Sequence, residues 1–234
     1  VRLLTRCCDY EMNATNQHLE TSPTHGQTVT RSPVWHLGDL SGDREMPYIS
    51  YEGKGVSIST HPDVWEDILR RDGSITTEEP NTYRLENPNA EFYFVDPTNV
   101  LEKEREWAIE HGFVTEQAGY RVSYTTVSDE PAYLLFYDKD AAQAEADARE
   151  GTLEPTDVLY LDTHGEAYWE EAFKQPLLEA EPVVIEGLLP VWYAEHHGYD
   201  GVWWDEALDP NNFSAPRGVI FQSSLNSFET TIEP

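Results

Sequence analysis

Hydrophobic residues in this chain fall into short bursts, and their spacing switches repeatedly between period two and the helical period. Residues 1–31, rich in Thr, Asn, Gln and His, show neither period and read as a polar, loosely held N-terminal arm. Folded structure is expected from about Ser32-Pro33 onward, as one domain over residues 32–234. Val34–Leu37 and Gly55–Ile58 read as strands. Ser59-Thr60-His61-Pro62 then supplies hydroxyls able to cap a helix and a proline tolerated in its first turn. Val64, Trp65, Ile68 and Leu69 give that helix one apolar face. Tyr83–Glu86 and Glu91–Val95 are candidate strands, and Thr98-Asn99 caps a helix running to His111 and closed by Gly112. Tyr120–Val127 and Ala132–Tyr137 alternate as an antiparallel pair around Asp129-Glu130-Pro131. Asp140–Glu150 reads as a solvated helix or a linker, Val158–Leu161 as a strand, and Glu166–Lys174 and Val191–His197 as helices. Gly201–Trp204 and Gly218–Phe221 are short apolar β segments before a polar tail. Strands outnumber helices and do not alternate strictly with them, so the expected fold class is α+β.

Charge changes this picture most. Forty-four acidic residues against fifteen basic ones give a net charge of −29, and only four of the basic residues are Lys. Such a surface repels phosphate backbones and anionic lipids, so direct nucleic-acid binding is not expected. It suits molar salt, where self-repulsion is screened within ~3 Å. A high-salt cytoplasm, or a virus of such a host, is the expected setting. No apolar run approaches the ~18–20 residues that span a bilayer, and Val1–Tyr10 lacks the apolar block of a secretory signal. Cys7 and Cys8 are adjacent and no Cys-x-x-Cys occurs, so neither a zinc site nor a disulfide framework is expected, and a reducing compartment fits.

Three segments carry candidate chemistry. Val34-Trp35-His36-Leu37-Gly38 sets a histidine inside an apolar strand, either as a satisfied core group or as a ring N–H for a ligand hydroxyl. In Gly55-Val56-Ser57-Ile58-Ser59-Thr60, Ser57 and Ser59 share one face of the strand. One hydroxyl there caps the helix, and the others either do no more or line a cleft. Gly198-Tyr199-Asp200-Gly201-Val202-Trp203-Trp204-Asp205-Glu206 is followed by Ser214-Ala215-Pro216-Arg217-Gly218-Val219-Ile220-Phe221. The loop between these strands holds Asp205, Glu206, Asp209 and Arg217, either as a solvated turn or as the rim of a site. A P-loop, a Gly-x-Ser-x-Gly elbow and a His-Glu-x-x-His pattern are all missing, and Asp162-Thr163-His164-Gly165 is a lone match, so no catalytic metal is expected.

In their order, these segments resemble the ADP-ribosyltransferase superfamily. Trp35-His36-Leu37-Gly38 is similar to its histidine-type first motif, Val56-Ser57-Ile58-Ser59-Thr60 to its hydroxyl-rich second strand, and Tyr199-Asp200-Gly201-Val202 with Gly218-Val219-Ile220-Phe221 to its late segments. The resemblance covers residues 33–74 and 198–225. Residues 97–180 read as an insertion or as diverged core. It implies a split two-sheet cleft that binds NAD as substrate. It further implies cleavage of the nicotinamide–ribose bond and transfer of ADP-ribose to an acceptor, possible acceptors including a protein. By that resemblance His36 holds a ribose hydroxyl, Ser57, Ser59 and Thr60 shape the nicotinamide pocket, and Trp35 or Trp65 stacks on the ring, with Gly38 beside them. Arg217 departs from the pattern, because it stands where the family's catalytic Glu opens the last strand. Three outcomes follow. Glu206 or Asp205 supplies the carboxylate that faces the ribosyl cation. Alternatively the protein is a catalytically inactive nucleotide- or protein-binding module, with Arg217 attracting the pyrophosphate. As a third class, it is a structural or virion-associated protein.

The acidic surface generates a direct test. The thermal unfolding midpoint is expected to rise, on the order of 10 °C, as KCl goes from about 0.1 M to 1 M and beyond. Full folding and solubility without added salt, measured by circular dichroism and light scattering, would remove the high-salt assignment.

Overall fold

The computed structural model describes residues 23–40, 52–71, 73, 75, 80–96, 100–126, 131–174, 176–177, 180–204, 206, 208 and 214–233. Cys7, Cys8, Thr98, Asn99, Asp129, Glu130, Asp205 and Asp209, invoked above, lie outside them. Among the described residues the chain is α+β, with five α-helices and two sheets.

The large sheet takes its strands from both ends of the described chain. In chain order these are β1 (Thr28–Val29), β2 (Val34–Leu37), β3 (Val56–Ser59), β4 (Thr82–Glu86) and β5 (Phe92–Phe94). Helix α1 (Pro62–Arg71) follows β3, burying Trp65, Ile68 and Leu69. The middle of the chain is a separate layer: α2 (Glu102–Glu110), β6 (Val114–Thr125), β7 (Pro131–Phe136), α3 (Lys139–Arg149), β8 (Thr152–Leu161) and α4 (Thr163–Phe173). After α5 (Pro182–His196) the chain returns to the large sheet as β9 (Gly201–Trp204), β10 (Arg217–Ile220) and β11 (Glu229–Glu233). The strand order is β1-β5-β9-β10-β3-β2-β4-β11 in the large sheet and β7-β6-β8 in the small one. Since β5 lies directly beside β9, in parallel, everything between them leaves the sheet and comes back.

Burial explains the strand types. β9 is buried at all four positions, and it reads as an unbroken apolar run because both its faces are covered. One face carries Val56, Ile58, Leu85, Phe92, Trp203 and Ile220. The other carries Tyr93, Val202, Trp204 and Val219, against Val191 and Ala194 of α5. α5 also faces the middle layer, where Leu188, Leu189 and Trp192 pack with Trp107, Leu159 and Trp169. The helix therefore cements the two layers. The expected helix, Val191–His197, is only its second half, and Pro190 sits buried inside the full helix.

Polar segments hide four further differences. Residues 23–31, expected as loose arm, are fastened to the sheet edge: Thr28 and Val29 pair with Tyr93 and Phe92, and Gly26 donates to the Phe94 carbonyl at 2.9 Å. His25 adds a buried tie, donating from Nε2 to Glu104 at 2.8 Å, while Tyr93 donates to the same carboxylate at 2.5 Å. The polar tail is strand β11, paired residue for residue with β4. β8 is longer than expected and contains Pro155, tolerated because β8 is an edge strand whose other side needs no ladder bond. α3 rests on β6 through Ala142, Ala146 and Val122, so Asp140–Glu150 is a packed helix and not a linker. Among the described residues no helix is long and apolar enough to cross a membrane.

Glu186 of α5 gives this packing a measurable signature. Burial pushes its carboxyl above the usual range, against the opposing pull of Arg105, Tyr133 and Arg121. A raised acid stabilises the fold while protonated and loses that contribution as pH climbs through its folded-state value. Glu186→Gln is therefore expected to raise the midpoint at pH 7 by about 1–3 °C, the gap closing towards pH 4. An equal gap at both pH values in thermal melts would show that the ionised group carries no such cost.

Candidate functional site

The site is built where three strands and a helix start meet. Register aligns Trp35 of β2, Ser59 of β3, Arg217 of β10 and Trp204 of β9 in one row across the large sheet. Directly opposed residues point to the same face, so this row shares a face with Ser57, two positions before Ser59. Helix α1 begins just past Ser59 and lays Trp65 nearby, with the Arg217 guanidinium 5.8 Å from that ring's centroid.

Arg217 is the centre of the cluster. Its Nη1 donates to Glu52 Oε1 at 2.7 Å. Its Nε and Nη2 donate to Glu206 Oε1 at 3.1 and 2.9 Å. Ser57 Oγ donates to the other oxygen of Glu52 at 2.6 Å, and Ser214 Oγ lies 3.4 Å from Glu206 Oε2. The side chains are only 18% exposed for Arg217, 8% for Glu52 and 5% for Glu206. One guanidinium thus meets two carboxylates in a corner that little water reaches.

The other expected site residues divide sharply. Ser59 is fully buried; its hydroxyl donates to the Pro216 carbonyl at 2.7 Å and accepts from the His61 N–H at 3.1 Å. It ties the residue that precedes α1 to the end of β3 and fastens β3 to the start of β10. Thr60 Oγ1 contacts His61 Nδ1 at 3.1 Å. Trp35 turns its indole away, donating to Glu233 of β11 at 3.0 Å. Trp65 is buried, and its indole N–H has no hydrogen-bond partner. Gly38 takes φ of +119° and donates to the Asn81 carbonyl at 3.0 Å, turning the chain out of β2.

His36 stands at the seam of the sheet. β2 keeps four paired positions with β4 but a single one with β3, Trp35 with Ser59, so the two strands part after that point. The imidazole fills the opening. Its Nδ1 lies 2.8 Å from the Ser57 carbonyl and its Nε2 3.2 Å from the Asp39 carbonyl. A neutral ring has one N–H to donate, and only the protonated ring donates to both. His36 is 2% exposed and stacks on Tyr83; next to Trp35 along β2, it projects from the opposite face of the sheet to Ser59 and Arg217, and its ring nitrogens serve backbone carbonyls.

The structure thus gathers Ser57, Ser59, Trp65, Glu206 and Arg217, puts His36 on the opposite face of the sheet, and directs the Trp35 indole elsewhere. Glu52 was missed. Its Glu-Gly-Lys-Gly setting looks like an ordinary loop, and only the need of a buried Arg217 for a second counter-charge could have singled it out among 44 acids. A separate depression of about 550 Å³, lined by Glu110, His111, Gly112, Phe113, His164 and His196, shares no residue with this cluster. Among the described residues no group of three His, Cys, Asp or Glu side chains is placed to hold a metal ion.

Compared with protein-family models, curated proteins and solved structures, the chain matches none.

Removing the guanidinium would leave two buried carboxylates without their counter-ion. Arg217→Met is expected to cost about 3–5 kcal/mol in denaturant unfolding, and the triple change with Glu52→Gln and Glu206→Gln to recover much of it. A loss below about 1 kcal/mol for Arg217→Met would mean that the corner is wetter than its burial indicates.

Proposed function

We propose that the cleft above β3 and β10 binds NAD and that the protein is an ADP-ribosyltransferase-like enzyme with a split two-sheet fold. The observation that supports this most directly is the carboxylate of Glu206, hydrogen-bonded to Arg217, the residue that stands where the resemblance calls for an acid. Cleavage of the nicotinamide–ribose bond sends the bonding pair to the nicotinamide nitrogen and leaves positive charge on the ribose. A fixed carboxylate facing that cation lowers the barrier, and loss of such a partner costs about 10²–10³ in rate. The acceptor then attacks the ribose carbon and gives up its proton. Ser57 and Thr60 border the nicotinamide, and His36 acts as the strut that keeps the seam open at the ribose end. The acceptor is a protein or small molecule sooner than nucleic acid, given the charge of −29. The setting is a high-salt cytoplasm.

A second reading draws on the same guanidinium. Its three nitrogens are all engaged by carboxylates, which suits a rigid, inactive module that binds a nucleotide or a protein.

Nicotinamide release from NAD in molar KCl separates the two. The enzyme reading expects release by the wild type and a fall of about 10²–10³ in Glu206→Gln with little change in NAD affinity. Tight ADP-ribose binding by calorimetry without release selects the module. Neither binding nor release removes both.

A further inference from the structure

Glu52 enters the site on a loop, Glu52-Gly53-Lys54-Gly55, that is gripped from two sides. On the sheet side, Gly55 has φ of +141°, and a Cβ there would lie 2.5 Å from the Ile220 carbonyl oxygen of β10. On the helix side, Gly53 has φ of +64°, and a Cβ there would lie 2.3 Å from the Tyr168 hydroxyl oxygen and 3.2 Å from Val191 Cγ1. No side chain fits at either position, so the loop is flattened between β10 and the helices α4 and α5.

Tyr168 supplies the directional contact. Its hydroxyl oxygen accepts the Lys54 N–H at 2.7 Å. The Lys54 ammonium lies 4.6 Å from the Tyr168 ring centroid and pairs with Glu171, the next turn of α4. The ring itself is immobilised, since Tyr168 is buried in the core of the middle layer and meets Trp192 edge-on at 5.5 Å. Burial holds its phenol well above the ordinary tyrosine range, so it stays a neutral hydroxyl. The backbone two residues from Glu52 is thereby nailed to α4, an element the sequence resemblance does not cover.

We propose that Tyr168 is a positioning residue for the Glu52 carboxylate: through the Lys54 amide it sets the reach of Glu52 to Arg217 and Ser57. The middle layer is then part of the site's architecture. The consequence for turnover rests on the reading above, but the placement itself does not.

A double-mutant cycle in the full chain tests this. Tyr168→Phe keeps the ring and removes only the hydroxyl. It is expected to lower the unfolding midpoint by about 3 °C in the wild type and by less than half as much in Glu52→Gln, because the ion pair that the loop positions is already gone. Where the wild type releases nicotinamide, Tyr168→Phe should lower kcat roughly tenfold with KM nearly unchanged, and should add nothing in Glu52→Gln. Coupled midpoints without nicotinamide release would sustain the positioning role and remove the transferase reading. Equal midpoint shifts in both backgrounds would overturn the proposal, whatever the activity.

Discussion

Arg217 carries its guanidinium into a corner of the large sheet where little water reaches it, and a charge so placed must be met by opposite charge or the fold loses several kcal/mol. Two carboxylates from distant stretches of chain meet it. Glu52 precedes β3, and Glu206 follows β9. Each of them is in turn approached by a serine, Ser57 or Ser214. The ion cluster therefore fixes where β3, β9 and β10 end relative to one another. A hydrophobic contact could hold the strands together, but it would not set the angle of a carboxylate.

Much of the large sheet was legible because its strands are short apolar runs with clean borders. Val34–Leu37 and Gly201–Trp204 appear at the expected bounds, and Val56–Ser59 and Arg217–Ile220 lie one residue away. Trp65, Ile68 and Leu69 face inward as their spacing foretold. What stayed hidden was structure whose burial comes from elsewhere. Thr28–Val29 and Glu229–Glu233 are polar strands because an edge strand needs only backbone partners. In the site, hydroxyl-rich spelling located β3 but could not assign the hydroxyls: Ser59 joins the Pro216 carbonyl and the His61 N–H, and Ser57 binds Glu52. Nothing in the local spelling of Glu52 marks it off from other acids, because its role arises from the fold of a residue 165 positions away.

The middle layer has its own aromatic core around Trp107, Trp169 and Trp192, and it shares α5 with the large sheet. α5 is apolar on nearly every side because it serves two neighbours at once. Lys54 and Tyr168 form a second, polar join between the layers, close to the ion cluster. Rigid attachment of this kind limits how far the Glu52 loop can drift while its carboxylate is charged.

Strand pairing in the large sheet also dictates an order of events during synthesis. β3 finds its partner β10, and β4 its partner β11, only across most of the chain, whereas β6, β7, β8 and α3 are near neighbours in sequence. Loop closure over such separations is slow, and local hairpins form early. On the ribosome the three-stranded layer can fold while β3 and β4, joined through β2, wait with their outer edges unpaired for residues beyond 200 to emerge. During that interval the acidic surface is what keeps the waiting strands of separate nascent chains apart.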